Sequence, residues 1–167
     1  MTAALRHDTV MPAAYLRCSV KSTRLPEIDL SVAPIHAPGV EARGRIVVIE
    51  DDQDIGEAVT YHLARAGYKV ILTRTANEGF AAVCRGADLV VLDLGLPDGD
   101  GVDVCRQLRA RTGSRWTPIL MASARGEESD VAEGLRAGAN DYLVKPYSMS
   151  DLVLRCRINL RRFLPQP

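Results

Sequence analysis

Asp88-Leu89-Val90-Val91-Leu92-Asp93 sets four consecutive apolar residues directly before a carboxylate. A run this short, without alternation and built from Val and Leu, suits a strand buried on both faces. Four other runs share its character: Arg45–Ile49 (RIVVI), Tyr68–Leu72 (YKVIL), Pro118–Ala122 (PILMA) and Tyr142–Val144 (YLV). Helical segments separate them. Thr75-Ala76-Asn77-Glu78 has the pattern of a capping box, and Gly86 ends the helix it opens. Ile55, Val59, His62, Leu63 and Ala66 recur at helical spacing ahead of a stop at Gly67. Val131, Leu135 and Ala137 precede a stop at Gly138, and Ser148 caps a last helix carrying Leu152, Leu154, Ile158 and Leu160.

Strands and helices in strict alternation predict an α/β fold, a doubly wound five-stranded parallel sheet with helices on both faces. Right-handed crossovers favour the strand order 2-1-3-4-5, the flavodoxin-like (βα)5 arrangement. Its ligand crevice opens between the carboxyl ends of strands 1 and 3. Strand 1 runs into Glu50-Asp51-Asp52 and strand 3 into Asp93. Asp52 and Asp54 also suit a helix cap, but Asp93 terminates a central apolar run and has no such explanation. Close carboxylates repel by about 4 kcal/mol per pair at an effective dielectric near 20. Such a cluster calls for a cation, and an all-oxygen set suits Mg²⁺. Strand 4 ends in Ser123 and strand 5 in Lys145-Pro146. A carboxylate, a metal, a hydroxyl and an ammonium together suit a phosphoryl group. An ionised Asp93 can attack phosphorus without a general base.

Composition narrows the function. The chain has 167 residues, 21 Lys+Arg against 21 Asp+Glu, and a net charge of zero. That balance argues against a broad basic face for nucleic acid. No apolar run nears the ~18 residues of a membrane span, and no cleavable leader is evident, so a cytoplasmic protein is expected. Only Lys21, Lys69 and Lys145 are lysines, which makes Lys145 a minority choice among the basic residues. Cys18, Cys84, Cys105 and Cys156 lack metal-site spacing and read as reduced thiols. Pro12, Pro26, Pro34, Pro38, Gly39 and Gly44 interrupt every candidate element of the first stretch. Residues 1–44 therefore read as a flexible arm, 45–163 as the domain and 164–167 as a tail or the start of a linker.

Residues 45–163 resemble the receiver domain of bacterial two-component response regulators, in particular receivers of winged-helix transcriptional regulators. The motifs are Val48-Ile49-Glu50-Asp51-Asp52, Val91-Leu92-Asp93-Leu94 with Leu96-Pro97 and Asp100-Gly101, Met121-Ala122-Ser123-Ala124-Arg125, and Gly138-Ala139-Asn140-Asp141-Tyr142-Leu143-Val144-Lys145-Pro146. The resemblance implies that Asp93 accepts a phosphoryl group from a histidine kinase or phosphotransfer protein. It implies Mg²⁺ binding by Glu50, Asp51 and Asp93 with the backbone carbonyl of Gly95. Ser123 and Lys145 would contact the phosphoryl group, Tyr142 would be the mobile switch aromatic, and Lys145–Pro146 would be cis. Phosphorylation would draw Ser123 toward Asp93, open space for Tyr142, and reshape the face of helix 4, strand 5 and helix 5.

Departures from the family pattern bear on this reading. Gly95 is small where a bulkier side chain is common, which predicts freer water access to a phosphoryl group. Asp141, Asp151 and Arg155 match charged positions of a face through which such receivers dimerise on phosphorylation, but Val131 replaces a usual basic partner. The arginines of the last helix read as a solvated or dimer-facing helix end, and no base-reading module is evident, so direct nucleic-acid binding is not expected. The alternative is a Mg²⁺-dependent phosphohydrolase with Asp93 as nucleophile; Gly95 stands where such enzymes place an acid. Calcium binding by Asp98–Asp103 fails on spacing. Partner selection is expected on the helix 1 face of Gln53, Gly56, Glu57 and Thr60.

Overall fold

The structure is a computed structural model that describes residues 43–111 and 117–163. The expected arm, apart from Arg43 and Gly44, and the expected tail lie outside the described residues, as does Cys18. The elements run β1 (Arg45–Ile49), α1 (Gln53–Arg65), β2 (Lys69–Thr73), α2 (Ala76–Cys84), β3 (Leu89–Leu92), β4 (Gly95–Leu96), β5 (Gly99–Asp100) and α3 (Gly101–Arg111). They continue with β6 (Ile119–Ser123), α4 (Glu128–Arg136), β7 (Asp141–Val144) and α5 (Met149–Phe163). The main sheet is parallel in the order β2-β1-β3-β6-β7, which is the expected 2-1-3-4-5 once its five strands are counted alone.

Local chemistry sets the element boundaries. Asp52 accepts the Ile55 amide and caps α1, and Thr75 accepts the Glu78 amide and caps α2. Ser148 Oγ accepts the Asp151 amide at the start of α5. Gly67 and Gly138 adopt φ of +96° and +110° after α1 and α4, a conformation that costs glycine little. The antiparallel β4–β5 pair between Asp93 and α3 was not anticipated. Two-residue strands carry too little pattern for periodicity to register.

Every residue of β3 is buried, as its uninterrupted apolar run requires. Ile46, Val48, Val91, Leu120 and Leu143 pack with Val59 and Leu63 of α1 and Leu152, Cys156 and Leu160 of α5. Residues of the opposite parity serve the other face, where Gly79 of α2 abuts Ile49 and Gly134 of α4 abuts Met121. Arg109 of α3 staples the far edge, donating to the carbonyls of Gly138 and Thr117 and to Asn140 Oδ1. Cys84, Cys105 and Cys156 are thiols on α2, α3 and α5, and the last two are buried. Among the described residues no helix is long and apolar enough to cross a membrane.

Candidate functional site

Backbone hydrogen bonds set the strand-end residues side by side. The Asp93 amide donates to Ile49 O at 2.9 Å, the Glu50 amide to Thr73 O at 3.0 Å, and the Lys145 amide to Ser123 O at 2.8 Å. Lys145 Nζ then reaches Asp93 Oδ2 at 2.7 Å and the two oxygens of Glu50 at 3.0 and 2.8 Å. Asp93 Oδ1 accepts the amides of Leu94 at 2.6 Å and Gly95 at 3.4 Å. Glu50, Asp93 and Ser123 are buried, whereas Asp51 is exposed. The Lys145–Pro146 peptide is cis.

One ammonium serves two buried carboxylates, and the acids respond differently. Burial alone would raise Asp93, but Lys145 and the amides of Gly95 and Leu94 outweigh it and hold its pKa below the ordinary value. Burial dominates at Glu50, and with the neighbouring Asp93 charge it pushes the pKa up to about 7 despite Lys145. At Lys145 burial works against the charge, and the two acids overcome it and raise the pKa. The Asp93 carboxylate is thus kept ionised while the site retains unbalanced negative charge.

A divalent cation fits that imbalance. One carboxylate oxygen from each of Glu50, Asp51 and Asp93 lies within 4.8 Å of the others, a hard-oxygen set that suits Mg²⁺ chemically. Gly95 is exposed, and a Cβ added to it would meet nothing within 4 Å.

The loop that carries Asp93 is tightly held. Gly101 opens α3 directly over it: a Cβ there would collide with the Asp93 carbonyl oxygen and stand 2.7 Å from Leu94 Cα. The Gly101 amide donates to Leu94 O at 3.0 Å. Asp98, at the tip of the β4–β5 turn, accepts the amides of Ala76 and Asn77 and the Asn77 side chain. Asp100 accepts the Val102 amide and pairs with Arg125 at 2.9 Å. Sequence reasoning gave Asp98 and Arg125 no role of their own; the Asp98-Gly99 turn pattern was the only local signal for Asp98.

Ser123 Oγ accepts the Arg125 amide at 3.3 Å, and the Tyr142 hydroxyl donates to the Arg125 carbonyl at 2.6 Å. Tyr142 is buried, and its ring occupies the space left by Gly134, where a Cβ would stand 3.0 Å away. The residues matched to a dimer face pair within the chain. Arg155 reaches Asp141 at 2.8 Å and Asp151 at 3.1 Å. The helix 1 expectation needs correction: Gly56 is buried against Leu72, and Thr60 is buried as well. The exposed residues of α1 are Gln53, Asp54, Glu57, Tyr61, His62 and Arg65.

Comparison with known proteins gives the same assignment as the strand-end geometry. The family model of the response regulator receiver domain matches residues 46–157. The chain belongs to that family. The receiver is 42% identical over 120 residues to KdpE of Escherichia coli (strain K12), a KDP operon transcriptional regulatory protein, covering 70% of this chain and 51% of KdpE. It is 39% identical over 118 residues to the sensory transduction protein RegX3 of Mycobacterium tuberculosis (strain ATCC 25618 / H37Rv), covering 70% of this chain and 51% of RegX3. The chain thus spans about half the length of these curated relatives. The solved BeF3-activated N-terminal receiver domain of Klebsiella pneumoniae RstA superposes with a TM-score of 0.65 at 30% identity, covering 70% of this chain and 98% of that one. The receiver domain is the phosphorylatable switch of two-component response regulators.

Proposed function

We propose that Asp93 is the phosphoacceptor of this switch and that its donor is a phosphohistidine on a histidine kinase or phosphotransfer protein. The observation that carries the proposal is the Lys145 ammonium 2.7 Å from Asp93 Oδ2, beside a carboxylate held ionised by burial-opposing hydrogen bonds. An Asp93 oxygen attacks phosphorus, the phosphorus–nitrogen bond breaks, and its electron pair leaves on the imidazole. Glu50, Asp51, Asp93 and the Gly95 carbonyl are the groups that would hold Mg²⁺, which supplies charge neutralisation at the phosphoryl oxygens. Lys145 donates to the incoming oxygens, and Ser123 lies at the adjoining strand end to do the same.

Output is assigned to the α4–β7–α5 face. Tyr142 joins Ser123 to that face through Arg125, and Leu135, Leu154 and Ile158 are exposed on it. Homodimerisation through Asp141, Asp151 and Arg155 fits this surface and requires Arg155 to exchange one of its two internal partners.

Intact-mass measurement after incubation with Mg²⁺ and a small acyl phosphate tests the assignment. Wild type is expected to gain one phosphoryl group that is lost in both hot acid and base, as an acyl phosphate is, and Asp93→Asn is expected to gain none; an acid-stable adduct would overturn the assignment. Equal incorporation by the variant would overturn it.

A further inference from the structure

Asp98 lies outside the phosphoryl site, yet it is the main side-chain tie between the acceptor loop and the neighbouring helix. It sits in the turn between β4 and β5, a hairpin that begins at Gly95, two residues after Asp93. Its carboxylate accepts the Ala76 amide at 2.6 Å, the Asn77 amide at 3.0 Å and Asn77 Nδ2 at 2.7 Å. Thr75 Oγ1 already caps the next amide, that of Glu78, at 3.2 Å. Asp98 therefore supplies, from another part of the chain, the acceptors that the first two amides of α2 lack. The anion also stands at the positive end of the α2 dipole. Burial is the largest single influence and would raise its pKa, but the hydrogen bonds from Asn77 and Ala76 together outweigh it and hold the pKa below the ordinary value.

We propose that Asp98 is a positioning residue for metal binding: by tying the hairpin to the N-terminus of α2, it fixes the backbone at Gly95, whose carbonyl is the non-carboxylate ligand. This rests on the Mg²⁺ reading given above. Gly95 has no side chain, and a Cβ there would meet nothing within 4 Å, so side-chain packing does not hold that carbonyl in place; the residue is placed by its backbone, which pairs with Asp100 across the hairpin. The hydrogen bonds at either end of the hairpin then fix where that paired backbone stands. Asp93 Oδ1 holds the near end through Leu94, the Gly101 amide closes it onto Leu94 O, and Asp98 fixes the tip.

The test compares Asp98→Ala, Asp98→Asn and Thr75→Ala in the full chain. Thr75→Ala removes a cap from the same helix without touching the acceptor loop, so it controls for loss of α2 stability. Amide hydrogen exchange of Leu94 and Gly101 in metal-free protein reads the tie directly. Isothermal titration with Mg²⁺ reads its consequence. Asp98→Ala is expected to speed exchange at both amides and, if the placed loop falls to about one fifth of the population, to raise the Mg²⁺ Kd about fivefold. Asp98→Asn, which keeps one acceptor oxygen, should fall between, and Thr75→Ala should match wild type in both readouts. Unchanged exchange in Asp98→Ala overturns the inference, as does faster exchange with an unchanged Kd. An equal effect from Thr75→Ala overturns it in favour of helix stability alone. A wild-type protein that takes up no Mg²⁺ overturns the metal reading itself, and the exchange data show separately whether the tie exists.

Discussion

Lys145 neutralises Asp93 and bonds both oxygens of Glu50 from one ammonium, and in the proposed reaction the same group donates to the phosphoryl oxygens. Lys145→Ala leaves two buried carboxylates facing each other without compensation. Breaking a buried ion pair costs roughly 3 kcal/mol, and urea unfolding at neutral pH without metal is the measurement that should show a loss of that order. The same variant should lose phosphoryl uptake, because protonating Glu50 relieves the repulsion without replacing the donor. Gly95 makes an independent prediction. Its open surroundings admit water beside the acceptor, so Gly95→Met should slow phosphate loss from phosphorylated protein by severalfold, and an unchanged or faster rate contradicts that view. At this scale the strand-end residues were legible because each follows an apolar run directly. Asp98 and Arg125 were not, since their partners are distant in sequence and each is an ordinary loop residue when read alone.

At the scale of elements, the packing against each helix sets what it tolerates. Gly134 of α4 leaves room for neighbours that a Cβ would crowd, the Tyr142 ring at 3.0 Å and Met121 Sδ at 2.7 Å from it. Alanine there gains about 1 kcal/mol of helix propensity but overpacks the interface by about 1–3 kcal/mol. Gly134→Ala should therefore destabilise wild type by about 1 kcal/mol and cost less in a Tyr142→Ala background, which a double-mutant cycle of unfolding free energies checks. In α5, burial pushes the Cys156 thiol up to about 12. An acid raised on folding stays protonated while the unfolded chain ionises. Its contribution to stability is thus present below the unfolded pKa near 8.5 and declines as pH rises from there toward 12. Thiol labelling at neutral pH should accordingly spare Cys156 and Cys105 while modifying Cys84.

Helix and strand identities were readable because caps, glycine stops and apolar runs agree with one another. The α1 surface was misread for a physical reason. Gly56, against Leu72 of β2, and Thr60, four residues on, are both buried, but neither carries the apolar signal that marks a buried position, so both read as solvent-facing residues. The β4–β5 hairpin is held by Asp98 and by local backbone bonds, not by a hydrophobic pattern, and it left no periodic trace.

Over the whole molecule, acids gather at the carboxyl ends of β1 and β3, and the chain's zero net charge conceals it. From that pocket a connected set of contacts runs through Ser123 and Arg125 to Tyr142, and on to the face bearing Asp141, Arg155 and exposed Leu135, Leu154 and Ile158. If that face carries the output, phosphorylated protein should sediment as a dimer and unphosphorylated protein as a monomer. Arg155→Ala should weaken the dimer by removing the group that must exchange partners; identical sedimentation of both forms would count against the assignment. The central claim is the acylphosphate on Asp93, and borohydride reduction followed by peptide mass mapping tests it most directly. Protein phosphorylated with Mg²⁺ and a small acyl phosphate should yield homoserine at position 93, whereas aspartate persisting there, or homoserine at another carboxylate, would contradict the account.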